Sequence, residues 1–180
     1  MTGLLRFAGI LNAAIWLGGS VFFTFVAGLV PFAPETRALL GTHAPNTSNY
    51  LVGAIAQIGV AKCFTFQLAC CSLALLHLAA EWLYLERRGR RRLVWMLVLM
   101  LGVAAAGNYA LRPRMEAWHE IKYRNYPQPE RDAATRSFKI WHGVSMTMNL
   151  FMLGGMMIYL WQMSRPPEPA RFVRPGQIRS

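Results

Sequence analysis

Residues 7–30, FAGILNAAIWLGGSVFFTFVAGLV, contain no charged side chain, and only Asn12, Ser20 and Thr24 are polar. The hydrocarbon core of a bilayer is about 30 Å thick and a helix rises about 1.5 Å per residue, so about 20 apolar residues cross it. This run is long enough, and Pro31 and Pro34 end it. A cleaved signal peptide has a shorter apolar region and a small-residue cleavage site, so the run is expected to persist as a first membrane span.

Three more runs follow. From Tyr50 to Leu85 the pattern is apolar, interrupted by Gln57, Lys62, His77 and Glu81. As one helix that stretch exceeds the bilayer, which places the second span at Val60–Leu83, with Lys62 snorkelling at one surface. Leu51–Gly59, bounded by Gly53 and Gly59, is then a separate interfacial or broken segment. The third span runs over Leu93–Leu111, with Arg112 and Pro113 marking its end or a kink. The fourth covers Ile140–Met163, with Ser137 as its N-cap. Spans in lipid satisfy every backbone amide internally, so they are helices, and four make an antiparallel bundle. The expected fold is all-α: a polytopic integral membrane protein with a four-helix transmembrane domain over residues 1–163. A Pro- and Arg-rich tail over 164–180 is expected to be disordered and cytoplasmic.

Composition agrees. The 180 residues are 54% apolar and 15% charged, with mean hydropathy +0.28 and net charge +11. The basic residues come in bursts between apolar runs, which argues against a nucleic-acid partner and for the lipid bilayer. Arg87, Arg88, Arg90, Arg91 and Arg92 crowd the short turn between spans two and three, and Arg165, Arg171, Arg174 and Arg179 fall in the tail. The positive-inside rule then places both termini in the cytoplasm of a cell membrane, by expectation a bacterial inner membrane.

Small residues let spans approach closely: Gly9, Gly18, Gly19 and Gly28 in the first, and Gly102 with Ala104 to Gly107 in the third. On the fourth, His142, Ser145, Asn149, Met152 and Met156 fall within about 80° of one another and are expected to face the bundle. Such a stripe serves packing first, through side-chain hydrogen bonds and adaptable methionines, and a small polar site second. His77 and Glu81, one turn apart, suggest an ion pair. Cys63, Cys70 and Cys71 lack zinc spacing, so no metal is expected, although thiols and ten methionines keep soft-metal handling in view. A haem would need His142 with His43 or His119. Phosphate-loop, dinucleotide-loop, nucleophile-elbow and zinc-protease motifs are all missing, so no catalytic residue or cofactor is assigned. Pro113 to Tyr126 is expected as an amphipathic surface helix, with Met115 and Trp118 on one side and a Glu120–Arg124 pair on the other.

The run Gly107-Asn108-Tyr109-Ala110-Leu111-Arg112-Pro113-Arg114-Met115 with Glu120, and then Trp141-His142-Gly143-Val144-Ser145 with Asn149-Leu150, resembles the transmembrane protein 205-like family. Trp16-Leu17-Gly18-Gly19 is similar to that family's Gly-rich opening span. Where the family has a Phe after the proline that ends this span, Pro34 is followed here by Glu35, Thr36 and Arg37. The resemblance implies a four-helix membrane protein of unknown activity. It singles out Asn108, Pro113, Arg114, Glu120, His142, Gly143, Ser145 and Asn149 as a polar motif. Asn108 and His142 are expected at similar depth, with Arg114 and Glu120 just above. The expected role is non-enzymatic: organising the bundle, or binding a small ligand, a second copy of the chain or another membrane protein. The alternatives are a transporter or copper-like metal-handling protein and a haem-binding redox protein.

Overall fold

The computed structural model describes residues 2–40, 45–85 and 91–165. Among them there are helices and no strands. α1 spans Thr2–Phe22 and runs into a π-helical turn, Phe23–Ala27. A 3-10 turn at Val30–Phe32 and the short α2, Pro34–Leu40, follow. α3 is Pro45–Leu85, and α4 is Arg91–Ala106. A second π turn, Gly107–Leu111, joins α4 to α5, Arg112–Tyr123. α6 is Gln128–Ser164. Four of these stretches are long and apolar enough to cross a membrane: Gly3–Phe32, Thr47–Tyr84, Arg91–Tyr123 and Gln128–Ser164.

The four long helices form a square. α1 packs beside α3 and α6, and α4 packs beside the same two, so α1 and α4 stand on a diagonal. The core is built from one stripe of each: Ala13 and Trp16, Cys71 and Ala74, Leu97 and Met100, and Met152, Met156 and Tyr159. Many of the other large apolar side chains, from Leu4 to Trp161, are exposed, as lipid-facing surfaces are. Arg6 donates to the carbonyls of Ser164 and Arg165, which puts the start of α1 and the end of α6 at one end of the bundle.

Three boundaries differ from the sequence reading, all at the opposite end. Leu51–Gly59 is no separate segment: α3 is unbroken over 41 residues, because glycine weakens a helix without ending it. Of the end or kink expected at Arg112 and Pro113, the end is not found: the helix continues there. Pro113 sits in the first turn of α5, where a missing N–H goes unnoticed, and the π turn before it carries the backbone through. Ser137 is no N-cap either, for α6 starts at Gln128, with Pro129 in its first turn and Glu130 favouring the N-terminal dipole. α3 is thus about 60 Å long and α6 about 55 Å, each well beyond the hydrocarbon thickness. Arg112, Arg114, Glu116, Glu120 and Lys122 on α5 mark the part that leaves the apolar layer. The N-terminal part of α3, all of α5 and the start of α6 pack together as a three-helix collar at the end of the bundle where these charges gather. The surface helix expected over Pro113 to Tyr126 is in fact a member of that collar, packed on α3 and α6. Arg87, Arg88, Arg90, His43 and the tail beyond Arg165 lie outside the described residues.

Candidate functional site

Contacts between helices set their depth. Gly9 and Gly19 of α1 let the His77 and Phe66 rings lie where a Cβ would stand, and Asn12 Nδ2 donates to the Cys70 carbonyl at 3.0 Å. Trp16 meets Tyr159 edge-on at 6.2 Å, and Asn149 Nδ2 donates to Thr24 Oγ1 at 3.0 Å. Between α4 and α6, Met100 fills the space at Gly155, and between α5 and α6 the Arg114 guanidinium lies 5.8 Å from the Trp141 ring centre. Phe64 of α3 takes the space at Gly107, and Cys71 Sγ donates to the Leu97 carbonyl at 3.2 Å.

Interpolated between these contacts, Ser20, Thr24, Gln67, Asn108 and Asn149 all fall within about 9 Å of bundle length, just below the collar. Both π turns fall there too, one on α1 and one following α4, diagonally across the bundle. Ser20 and Gln67 are buried, and Asn108 is half-buried. Ser20 Oγ, Gln67 Oε1 and Asn108 Oδ1 are enclosed without a hydrogen-bond partner. Gln67 uses its amide nitrogen on Cys63 Sγ, at 3.8 Å. The Asn149–Thr24 bond continues from Thr24 Oγ1 to the Ser20 carbonyl at 2.7 Å, so α1 and α6 are tied at this level. A buried acceptor without a donor costs about 1–3 kcal/mol, and π turns inside helices accompany functional sites more often than chance.

The motif read from the sequence divides here. Asn108 and Asn149 share this belt. His142 does not: it lies level with Pro113 and Arg114, about 9 Å further out by helix rise. Its ring is exposed and parallel to Phe138, with centroids 6.1 Å apart. The stripe on α6 therefore faces inward only from its half-buried members Ser145 and Asn149 down to the buried Met152 and Met156. The reason is that α1 has already ended where His142 projects. Pro113 is exposed, Arg114 lies over Trp141, and Glu120 pairs with Arg124 at 3.0 Å, as its spacing predicts. Gly143 is exposed, with nothing near its missing Cβ. Among the glycines, Gly9, Gly19 and Gly107 serve close approach, whereas Gly18 and Gly102 meet nothing.

Sequence reasoning missed Gln67, whose signal was an amide deep inside an apolar run, and gave Ser20 and Thr24 no role despite their i, i+4 spacing. It also missed the packing of His119. That residue is buried in the collar against Gly53, Tyr50 at 5.2 Å, Tyr123 at 5.0 Å and Phe138 at 6.1 Å, with Nε2 unpartnered. Burial holds the His119 imidazole below its ordinary pKa, and nearby Lys122 acts in the same direction.

His77 Nε2 meets the Leu5 carbonyl at 2.7 Å, so its ring serves the contact between α1 and α3. The thiols disperse: Cys63 meets Gln67, Cys71 meets a backbone carbonyl, and Cys70 is buried in the core. Among the described residues no three His, Cys, Asp or Glu side chains gather in a metal-binding arrangement.

A family model described as a domain of unknown function, DUF4149, matches residues 11–124, well over half of the chain. The chain belongs to the DUF4149 family. The match begins within α1, runs through α5 and ends before α6. Ser20, Thr24, Gln67 and Asn108 thus lie inside the DUF4149 region, while His142 and Asn149 lie beyond it. No curated protein and no solved structure matches the chain.

Proposed function

We propose that this DUF4149 protein is a non-enzymatic, multi-pass membrane protein. Its bundle holds a small uncharged ligand with O–H or N–H donors at the belt below the collar. One observation carries the reading: three buried oxygens from three helices, Ser20 Oγ, Gln67 Oε1 and Asn108 Oδ1, go unpaired at the level of two π turns. All are acceptors or hydroxyls, so the complementary ligand donates hydrogen bonds. None of the belt residues is charged, so an ion would find no counter-charge there. The transmembrane protein 205-like likeness remains the finer kinship we favour, carried by the run from Gly107 to Met115 and by His142 to Asn149.

Orientation belongs to the same reading. Arg6, Arg91, Arg92 and Arg165 mark the end that holds both termini, supporting a cytoplasmic location for that end and a collar on the far side.

The test is mass spectrometry of small molecules released from the natively purified full chain, against Gln67→Leu and Asn108→Leu. The expected result is a polar molecule recovered with the wild type and lost with both variants. If the three proteins release the same molecules and melt alike, the belt is packing alone and the reading fails.

A further inference from the structure

A second polar feature lies apart from the belt, where α3 meets α5 at the edge of the apolar layer. A cavity of about 350 Å³ opens there, lined by Ala54, Gln57, Ala61, Lys62, Arg112 and Glu116 among others. That is room for roughly ten waters. Its place is set by sequence: Lys62 is the one basic residue of α3, and Arg112 is the first charge after the uncharged run Leu93–Leu111. Both cations therefore stand at headgroup depth.

The donors in this cavity are in surplus. Arg112 Nε gives its hydrogen bond to Glu116 Oε1 at 2.7 Å, leaving the two terminal nitrogens of the fork uncommitted among the described residues. Lys62 is exposed and makes no ion pair among the described residues. Gln57 Nε2 is enclosed without a partner. Two cations against one carboxylate leave one net positive charge, the complement of a singly charged phosphodiester. The two alanines keep the walls low enough for a tetrahedral group to enter.

We propose that this cavity binds a phosphate group, held by Lys62, the Arg112 fork and the Gln57 amide. An oxyanion suits these groups because charge-assisted hydrogen bonds from Arg and Lys to phosphate are the strong ones, and because it gives the Gln57 donor its missing acceptor. A solvated ion pair between Arg112 and Glu116 alone leaves Lys62 and Gln57 unexplained. The phosphate can come from a phospholipid headgroup in the collar-side leaflet or from a soluble phosphate.

The experiment uses the purified full chain in a lipid-free detergent, with native mass spectrometry and melting temperature as readouts. One arm adds short-chain phosphatidylglycerol; the other adds inorganic phosphate or glycerol 3-phosphate. We expect one bound phosphate-bearing molecule per chain and a raised melting temperature, in the lipid arm if a headgroup is the source and in the soluble arm if it is not. Lys62→Gln with Arg112→Gln should weaken that binding by about tenfold or more. Ala61→Leu, which fills the cavity and keeps both cations, should abolish it. Arg124→Gln, on the exposed face of the collar, should leave it unchanged. Failure of both arms to bind, or equal binding by wild type, the double variant and Ala61→Leu, overturns the proposal.

Discussion

The half of the bundle near the termini and the half near the collar are made from the same four helices yet solve opposite problems. In the termini half, glycine admits a bulky partner: His77 at Gly9 and Met100 at Gly155. The Trp16 and Tyr159 rings lock edge to face, and Asn12 and Cys71 both find backbone carbonyls. In the collar half, Phe64 still presses on Gly107, but two helices wind into π turns and three oxygens go without donors. Without a hydrophobic force between helices in lipid, close packing is what holds a bundle together. The termini half has enclosed nitrogens without partners too, Trp16 Nε1 and His77 Nδ1, but Ser20 Oγ, Gln67 Oε1 and Asn108 Oδ1 gather in the collar half, at the level of the π turns.

The largest expected effect tests the packed half. Trp16 is fully buried, and Trp16→Ala empties the contact between α1 and α6; it should destabilise the purified protein by about 3–5 kcal/mol, read as a fall in melting temperature in detergent. Next comes Gly155→Leu, which drives a side chain into the space Met100 fills and should cost about 1–3 kcal/mol. If either is as mild as a substitution in the polar belt, the contrast between the halves is false.

A third prediction extends the comparison to the collar. The folded state keeps the His119 pKa below its ordinary value of about 6.5, so the unfolded state binds a proton first as pH falls. The stability His119 contributes is thus complete above that value and is lost as pH drops towards the lowered folded pKa. Protection of α5 amides against hydrogen exchange, taken relative to the intrinsic rate at each pH, should fall in mild acid while protection in α4 holds steady. His119→Phe should remove the acid dependence. A collar that tightens in acid contradicts the burial argument.

How far the sequence could be read follows the same divide. The four spans, their helical character and the close approach at Gly9, Gly19 and Gly107 are legible because lipid imposes a strict rule: long uncharged runs become helices, and small residues become contacts. The collar was illegible because that rule ends at the membrane surface. Beyond Lys62, Arg112 and Lys139, a helix continues or stops according to what it packs on, and Tyr50, His119 and Phe138 meet only in three dimensions. For the same reason Asn108 and Asn149 of the motif share a level, whereas His142, placed by a stripe calculation that ignored where α1 ends, does not. The π turns leave no mark in a 100° periodicity; each inserts one residue and shifts the helix phase after it.

The smallest expected effect is the most discriminating. Gln67 is as deeply buried as the core residues, so a purely structural amide there should behave like Asn12, whose bond to the Cys70 carbonyl makes Asn12→Leu cost up to about 1 kcal/mol. Gln67 instead spends its nitrogen on a long contact with Cys63 Sγ and leaves its oxygen unpaired. Exchanging it for leucine removes a desolvated acceptor and adds apolar contact, so in ligand-free protein Gln67→Leu should be neutral or stabilising by no more than about 1 kcal/mol. Asn12→Leu should therefore lower the melting temperature while Gln67→Leu leaves it unchanged or raises it, although each deletes one amide from the same pair of helices. If they move it in the same direction by the same amount, Gln67 is packing like Asn12, and the collar half has no vacancy in its hydrogen bonding to offer a ligand.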